Sequence, residues 1–274
     1  MTVNHDDLWS FEGKNVPIHW HNDLEINLIR EGEAVFQVYQ ECYRVRPGEG
    51  FLLNRNVPHS CSSVGNEQVR YSTILVRPDF LYGDFGSDVE RKCFQPFLQN
   101  SAIPCIYLTG FDENGKEILQ KLNQIEEAFD RKRFCYELKI KGLLCEAFAM
   151  ILYGHRQELT KFVPANLKEL ERLEKMLNYL NMHFTEVISL QDLADQVHLS
   201  REVCCRLFKK MTGKTITGYL EEYRVNKSFS LVQSGQYSMT QITEMVGFSN
   251  PSRFASAFRK RFGCNPGEYN SVKH

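Results

Sequence analysis

Four side chains near the start of this 274-residue chain have the types and spacing to hold an ion or a polar ligand. His19 and His21 share one face of a strand by period-two alternation, and Glu25, Asn27 and Ile29 can continue that face inward. His59 follows the turn residues Pro47, Gly48, Glu49 and Gly50. Three imidazoles and a carboxylate suit a divalent transition metal, with a position left for water or a ligand. The same side chains, joined by Asn27 and Tyr43, could instead hydrogen-bond an organic effector or form a purely structural network. Trp20 and Tyr43 could add a stacking wall for a sugar ring, or simply be core. All of these readings stay open at the level of sequence.

A second set of residues points to DNA. Residues 189–269 carry one pattern written twice: Leu190, Leu193 and Val197 align with Met239, Ile242 and Val246 at an offset of 49. Past an internal turn the offset becomes 50, pairing Cys204 with Phe254, Phe208 with Phe258, Gly213 with Gly263 and Tyr219 with Tyr269. Each copy reads as two short helices joined by a tight bend. In the second copy Gly247 supplies positive φ, Asn250 an N-cap and Pro251 a first-turn proline; in the first, His198 holds the glycine's place and Ser200 is the cap. Helical spacing sends Cys204, Leu207, Phe208 and Met211 inward, leaving Arg201, Glu202, Cys205, Arg206 and Lys209 outside. In the second copy Phe254, Ala257, Phe258 and Phe262 go inward, and Pro251, Ser252, Ala255, Ser256 and Arg259 remain on the outer stripe. Short and basic side chains followed by Lys209-Lys210 or Arg259-Lys260-Arg261 suit a major groove with phosphates on either side. From Ser200 onward 12 Lys and Arg face 5 Asp and Glu although the whole chain is −1, so basic charge is concentrated where the duplicated pattern lies.

The C-terminal segment resembles the DNA-binding domain of the arabinose-regulator (AraC/XylS) family of bacterial transcription factors. The resemblance rests on Leu190, Leu193, Ala194, Leu207-Phe208-Lys209-Lys210, Thr212-Gly213, Tyr219, Leu220 and Arg224, then Val246-Gly247-Phe248-Ser249, Phe254, Phe258-Arg259-Lys260, Phe262-Gly263, Pro266 and Tyr269. It implies that a helix through residues 216–232 joins the two units and sets their separation on DNA. It also implies that Glu202, Cys205 and Arg206, with Pro251, Ser252, Ala255 and Ser256, read bases. Arg206 could pair with guanine and Glu202 with cytosine, so the first unit is expected to carry more of the specificity. Upstream, Gly13-x5-His19-x-His21-x3-Glu25-x6-Gly32 resembles the first cupin motif and His59 loosely the second, which implies a cupin barrel at the N-terminus. In cupin enzymes the corresponding residues hold a metal; in regulators the barrel more often takes a small effector.

The elements that must position these residues are legible in outline. INLIR, AVFQVYQ, CYRVR and GFLLN, punctuated by Glu31-Gly32-Glu33, Pro47-Gly48-Glu49-Gly50 and Val57-Pro58, read as short strands of an antiparallel barrel or sandwich. Residues 112–129 and 136–156 read as amphipathic helices, with Ile118, Leu119, Leu122, Ile125 and Phe129 on one stripe. The resemblance makes this hairpin a dimerisation element; alternatively it only covers a face of the barrel. The expected division is a cupin-like effector-binding barrel over residues 1–111, the hairpin over 112–158, a linker containing Pro164 over 159–166, and an all-α DNA-binding domain of two helix-turn-helix units over 167–274 that opens with a helix through 167–184. Formal charge changes from −5 before residue 166 to +4 after it.

Nine scattered cysteines without a CxxC pair fit reduced thiols better than a disulfide framework or a zinc site. No segment has the length or apolarity of a signal peptide or membrane span, so a cytoplasmic protein is expected. The sequence therefore predicts a homodimeric regulator, not an enzyme, that binds double-stranded DNA. Its control comes from a small effector such as a sugar, no cofactor is required, and the resemblance adds RNA polymerase as partner and activation as outcome. The rival is a metal-dependent cupin enzyme or metal sensor with a DNA-tethering domain.

Overall fold

The computed structural model describes residues 1–269 apart from 66, 162, 164 and 165. Pro164, on which the expected linker turns, lies outside the described residues.

Among the described residues, nine strands form two antiparallel sheets: β1 (Thr2–Asp7), β2 (Asn15–His19), β3 (Leu24–Glu31), β4 (Ala34–Val38), β5 (Glu41–Val45), β6 (Gly50–Leu53), β7 (His59–Ser63), β8 (Arg70–Val76) and β9 (Cys105–Leu108). One sheet runs β1-β8-β3-β6-β9 and the other β2-β7-β4-β5. The inner faces meet in a core of Ile29, Phe36, Val38, Val45, Phe51, Leu53 and Cys61, with the Phe36 and Phe51 rings stacked 4.9 Å apart. β3 is buried on both faces, because Leu24, Ile26 and Leu28 point away from that core into a second one. This two-sided burial explains why the strand reads as an almost unbroken apolar run.

The second core lies under helices. After α1 (Pro78–Tyr82) and α2 (Gln95–Leu98) come the long α3 (Glu113–Arg131) and α4 (Tyr136–Gly154), then the short α5 (Arg156–Leu159). Asp112 caps α3 by accepting from the Gly115 N–H at 2.7 Å. Leu119, Leu122 and Ile125 of α3 and Leu144, Phe148 and Ile151 of α4 pack on the outer face of the five-stranded sheet. The hairpin thus covers the barrel, and α4 keeps Leu138, Cys145, Ala149 and Tyr153 exposed on its other side.

The remaining helices are α6 (Leu167–Met182), α7 (Leu190–Gln196), α8 (Arg201–Thr212), α9 (Ile216–Ser234), α10 (Met239–Met245), α11 (Pro251–Phe262) and α12 (Pro266–Tyr269). They enclose two cores. One gathers Leu173, Met176 and Leu180 of α6 with Leu193, Cys204, Phe208 and Met211. The other gathers Ile242, Val246, Phe254, Phe258 and Phe262. α9 belongs to both: Ile216 and Tyr219 enter the first core, Val225, Phe229 and Val232 the second. One continuous helix buried at both ends fixes the separation of the two units.

This helical domain is seated on the outer face of the four-stranded sheet. Ile18, Trp20 and Tyr39 pack against the first helical core, and Gln37 Nε2 donates to Thr212 O at 2.6 Å. The chain between β1 and β2 reaches the second unit, where Lys227 pairs with Glu12 at 2.7 Å and Arg261 Nη2 donates to Gly13 O at 2.7 Å. The barrel therefore lies between the α3–α4 hairpin and the helical domain. No helix among the described residues is long and apolar enough to cross a membrane.

Candidate functional sites: a DNA-reading face and a histidine cluster

Both helix-turn-helix units are built from the capping residues that the sequence marks. Ser189 accepts from the Asp192 N–H and Ser200 from the Val203 N–H, starting α7 and α8. Ser238 and Gln241 form a reciprocal capping box on α10, and Asn250 accepts from the Arg253 N–H at 2.8 Å ahead of Pro251. His198 takes φ 53° and Gly247 φ 77°, so the left-handed turn residue is present in each copy. The inserted residue lengthens the second turn and leaves the helix that follows in register.

The exposed stripes of α8 and α11 then match position by position. Arg201, Glu202, Arg206 and Lys209 are exposed and Cys205 is half-buried; Pro251, Ser252, Ser256 and Arg259 are exposed and Ala255 is half-buried. Arg206, Lys209 and Arg259 have no salt-bridge partner among the described residues, which leaves their charge available to a polyanion. Two members of the basic flanks depart from expectation. Lys210 pairs with Glu169 at 2.6 Å. Arg261 turns toward the barrel, where its Nε is buried without a hydrogen bond and burial lowers its pKa. A run of basic residues identifies a charged helix end; helical periodicity sends one member of it to the other side.

The barrel brings His19, His21, Glu25 and His59 together, with one ligand atom of each inside a 4.8 Å span. β2 and β7 pair His19 with His59, and the loop to β3 returns His21 toward Glu25. Each ring is anchored through Nδ1, which donates to a main-chain carbonyl: His19 to Pro17 O at 2.9 Å, His21 to Asp23 O at 3.0 Å and His59 to Val57 O at 2.8 Å. His21 Nε2 donates to Glu25 Oε2 at 2.8 Å, and Asn27 Nδ2 donates to Glu25 Oε1 at 2.8 Å. His59 Nε2 lies 3.4 Å from Glu25 Oε2 but finds no hydrogen-bond partner, although the residue is 2% exposed.

Protonation follows these surroundings. Burial, with the neighbouring His59 ring, pushes the His19 pKa down to about 4. The hydrogen bond to Glu25 raises that of His21. Burial alone would push Glu25 up, but the His21 and His59 imidazoles and the Asn27 amide outweigh it and hold the carboxyl well below its usual range. The cluster thus contains a carboxylate beside one cationic imidazole, with His19 neutral.

Two expected effector residues sit differently. Asn27 joins the cluster through Glu25. Tyr43 does not: it is on β5, at the opposite edge of its sheet from β2, packed against Phe51 at 5.1 Å. Trp20 likewise points out of the barrel onto the helical domain and makes no wall for the cluster. Sequence reasoning missed Asp6 and Thr73, which extend the polar ladder; Thr73 Oγ1 is 2.9 Å from Asp6 Oδ2 and 3.1 Å from Asn27 Oδ1. It also missed a cavity of about 480 Å³ between barrel and helical domain, bordered by Tyr39, Tyr43, Pro104, Leu170 and Met211.

Comparison with known proteins covers both halves of the chain. Residues 8–148 match the model of the AraC-like ligand binding domain, and residues 193–271 match that of a helix-turn-helix domain. An HTH-type transcriptional regulator of Bacillus subtilis, YdeC, is 29% identical over 258 residues, covering 94% of this chain and 87% of the relative. The melibiose operon regulatory protein of Escherichia coli is 21% identical over 272 residues, covering 93% of this chain and 83% of that protein. Among solved structures, ToxT from Vibrio cholerae aligns over 99% of this chain and 98% of its own at 15% identity, with a TM-score of 0.45.

Proposed function

The chain belongs to the AraC family of transcriptional regulators, and from that premise we propose that α8 and α11 are its recognition helices, read with unequal weight, under the control of a small effector held by the barrel. The observation that carries this reading is the matched exposure of the two helices on a domain whose spacing α9 fixes. In the first unit Arg206 offers a bidentate donor to a guanine edge and Glu202 an acceptor for cytosine, with Arg201, Cys205 and Lys209 beside them. In the second, Pro251, Ser252, Ala255 and Ser256 are short, so α11 approaches closely and reads shape and apolar contact, with Arg259 on phosphate. His19, His21, Glu25, Asn27 and His59 are the effector-facing polar groups.

The outer side of α4, with Leu138, Ala149 and Tyr153 exposed, is the proposed homodimer contact. Activation through RNA polymerase and a sugar or similar small polar metabolite as effector complete the reading; one relative is named for the melibiose operon. Relatives over nearly the whole chain are regulators by name, which supports a regulator rather than an enzyme.

The test is Arg206→Ala. Binding to a duplex selected from a random library is expected to weaken by about 1–3 kcal/mol, with base preference relaxed at one position. Unchanged affinity and preference would remove α8 from the reading head.

A further inference from the structure

We propose that His19, His21, Glu25 and His59 form a binding site for a divalent first-row transition metal, and that its occupancy is transmitted directly to the first helix-turn-helix unit through β2 and β4. The transmission rests on the regulator reading above; the metal site does not.

The donor set has the geometry of a chelate. An ion at roughly 2.1 Å from each donor places neighbouring donors about 3 Å apart. Here Glu25 Oε2 is 2.8 Å from His21 Nε2 and 3.4 Å from His59 Nε2, and all four ligand atoms fall within 4.8 Å of one another. The outer supports are in place as well. Three Nδ1–H groups are committed to the carbonyls of Pro17, Asp23 and Val57, which turns each Nε2 toward the common centre. Asn27 holds the second oxygen of Glu25.

His59 shows what is missing from a purely hydrogen-bonded account. With its proton on Nδ1, its buried Nε2 presents a lone pair 3.4 Å from a carboxylate oxygen, and nothing donates to it. Two acceptors facing each other in a buried site are costly unless a cation lies between them. Imidazole and carboxylate together select ions such as iron, cobalt, nickel or zinc over magnesium or calcium.

The same strands hold the helical domain. His19 faces inward on β2 while its neighbours Ile18 and Trp20 pack against the first unit's core. His59 pairs with Val38 on β4, and the flanking Gln37 and Tyr39 lie on the Thr212-Gly213 end of α8. Drawing His19 and His59 onto one ion therefore shifts backbone whose alternate side chains grip α8. Such a ligand changes the seating of the domain to the extent that it prefers one arrangement.

The experiment uses the full chain freed of metal by chelator and titrated with Co(II). One equivalent, read by calorimetry and by its visible d–d bands with imidazole ligation, is expected. Half-exposed His21→Gln should weaken Co(II) binding by roughly tenfold or more at an unchanged melting temperature. Absence of a one-equivalent site, or full affinity in His21→Gln, overturns the metal centre and leaves the regulator reading to Arg206→Ala. In the wild-type chain Co(II) should change amide hydrogen exchange over residues 208–220. Trp20→Ala should bind Co(II) normally yet lose much of that change. Stoichiometric binding with no exchange response in the wild-type chain overturns the transmission.

Discussion

In the first helix-turn-helix unit Gly213, which ends α8 with φ 70°, lies under the turn between β4 and β5: a Cβ there would stand 2.1 Å from Gln37 Nε2 and 2.7 Å from Tyr39 O. In the second unit Gly263 ends α11 with φ 79° and has nothing within 4 Å of that position. The two copies share caps, core positions and exposed stripes, yet the barrel presses on one and leaves the matching place on the other open. The second unit is held elsewhere, by Glu12 on Lys227 and by Gly13 O on Arg261. What the duplication kept is what each unit needs to fold. Where the copies differ in contact is where the barrel can favour one unit over the other.

The largest effect should come from their cores, where the comparison predicts equality. Phe208 and Phe258 are both 0% exposed, at equivalent positions. Either Phe208→Ala or Phe258→Ala should cost about 3–5 kcal/mol of local stability, read separately from hydrogen exchange in α8 and α11. A loss confined to one unit would break the equivalence of the two folds.

The glycines at the helix ends should separate the units. An alanine in the left-handed conformation costs about 1–2 kcal/mol at either place. Gly263→Ala should show that cost and no more. Gly213→Ala adds a collision with the backbone of Tyr39, so the barrel should lift off, seen as lost exchange protection over residues 37–40 and 212–216. Equal effects of the two substitutions would mean that the barrel does not rest on the first unit in solution.

Which of these features the sequence discloses depends on how local their cause is. The caps Ser189, Ser200, Ser238 and Asn250, the longer second turn and the inward stripes of α8 and α11 all follow from residues within a few positions of one another. His19, His21, Glu25 and His59 are also legible, since strand alternation sets three of them on one face and the resemblance supplies the fourth. β1 is not, because TVNHDD has a polar majority and only Val3 is fully buried; its strand state comes from pairing with β8. Nor is the seat of the helical domain. Ile18, Trp20 and Gln37 occupy the side of the sheet opposite the histidines, where solvent is the default expectation, and only the folded chain shows what covers them. Arg261 is hidden for the same reason: its partner is a carbonyl 248 residues away.

The smallest effect concerns the turn, where the copies hold the same backbone with different residues. His198 is exposed at φ 53°, a conformation that a residue with a Cβ reaches at a cost. Gly247, its counterpart, could not be replaced in kind, because a Cβ there would stand 2.7 Å from Phe184 O and from Thr185 Cα, on a segment that Arg224 pins by donating to Phe184 O at 2.6 Å. The second turn thus needs glycine for space as well as for φ, whereas the first needs only a tolerated φ. His198→Gly should relieve the strain while adding freedom to the unfolded chain, two terms of similar size and opposite sign. The expected net change is within about 1 kcal/mol, measured by exchange in α7 and α8, with DNA affinity unaltered. A substantial loss would show that the His198 side chain itself supports the first unit, and the asymmetry between the two turns would then be one of contact rather than of backbone alone.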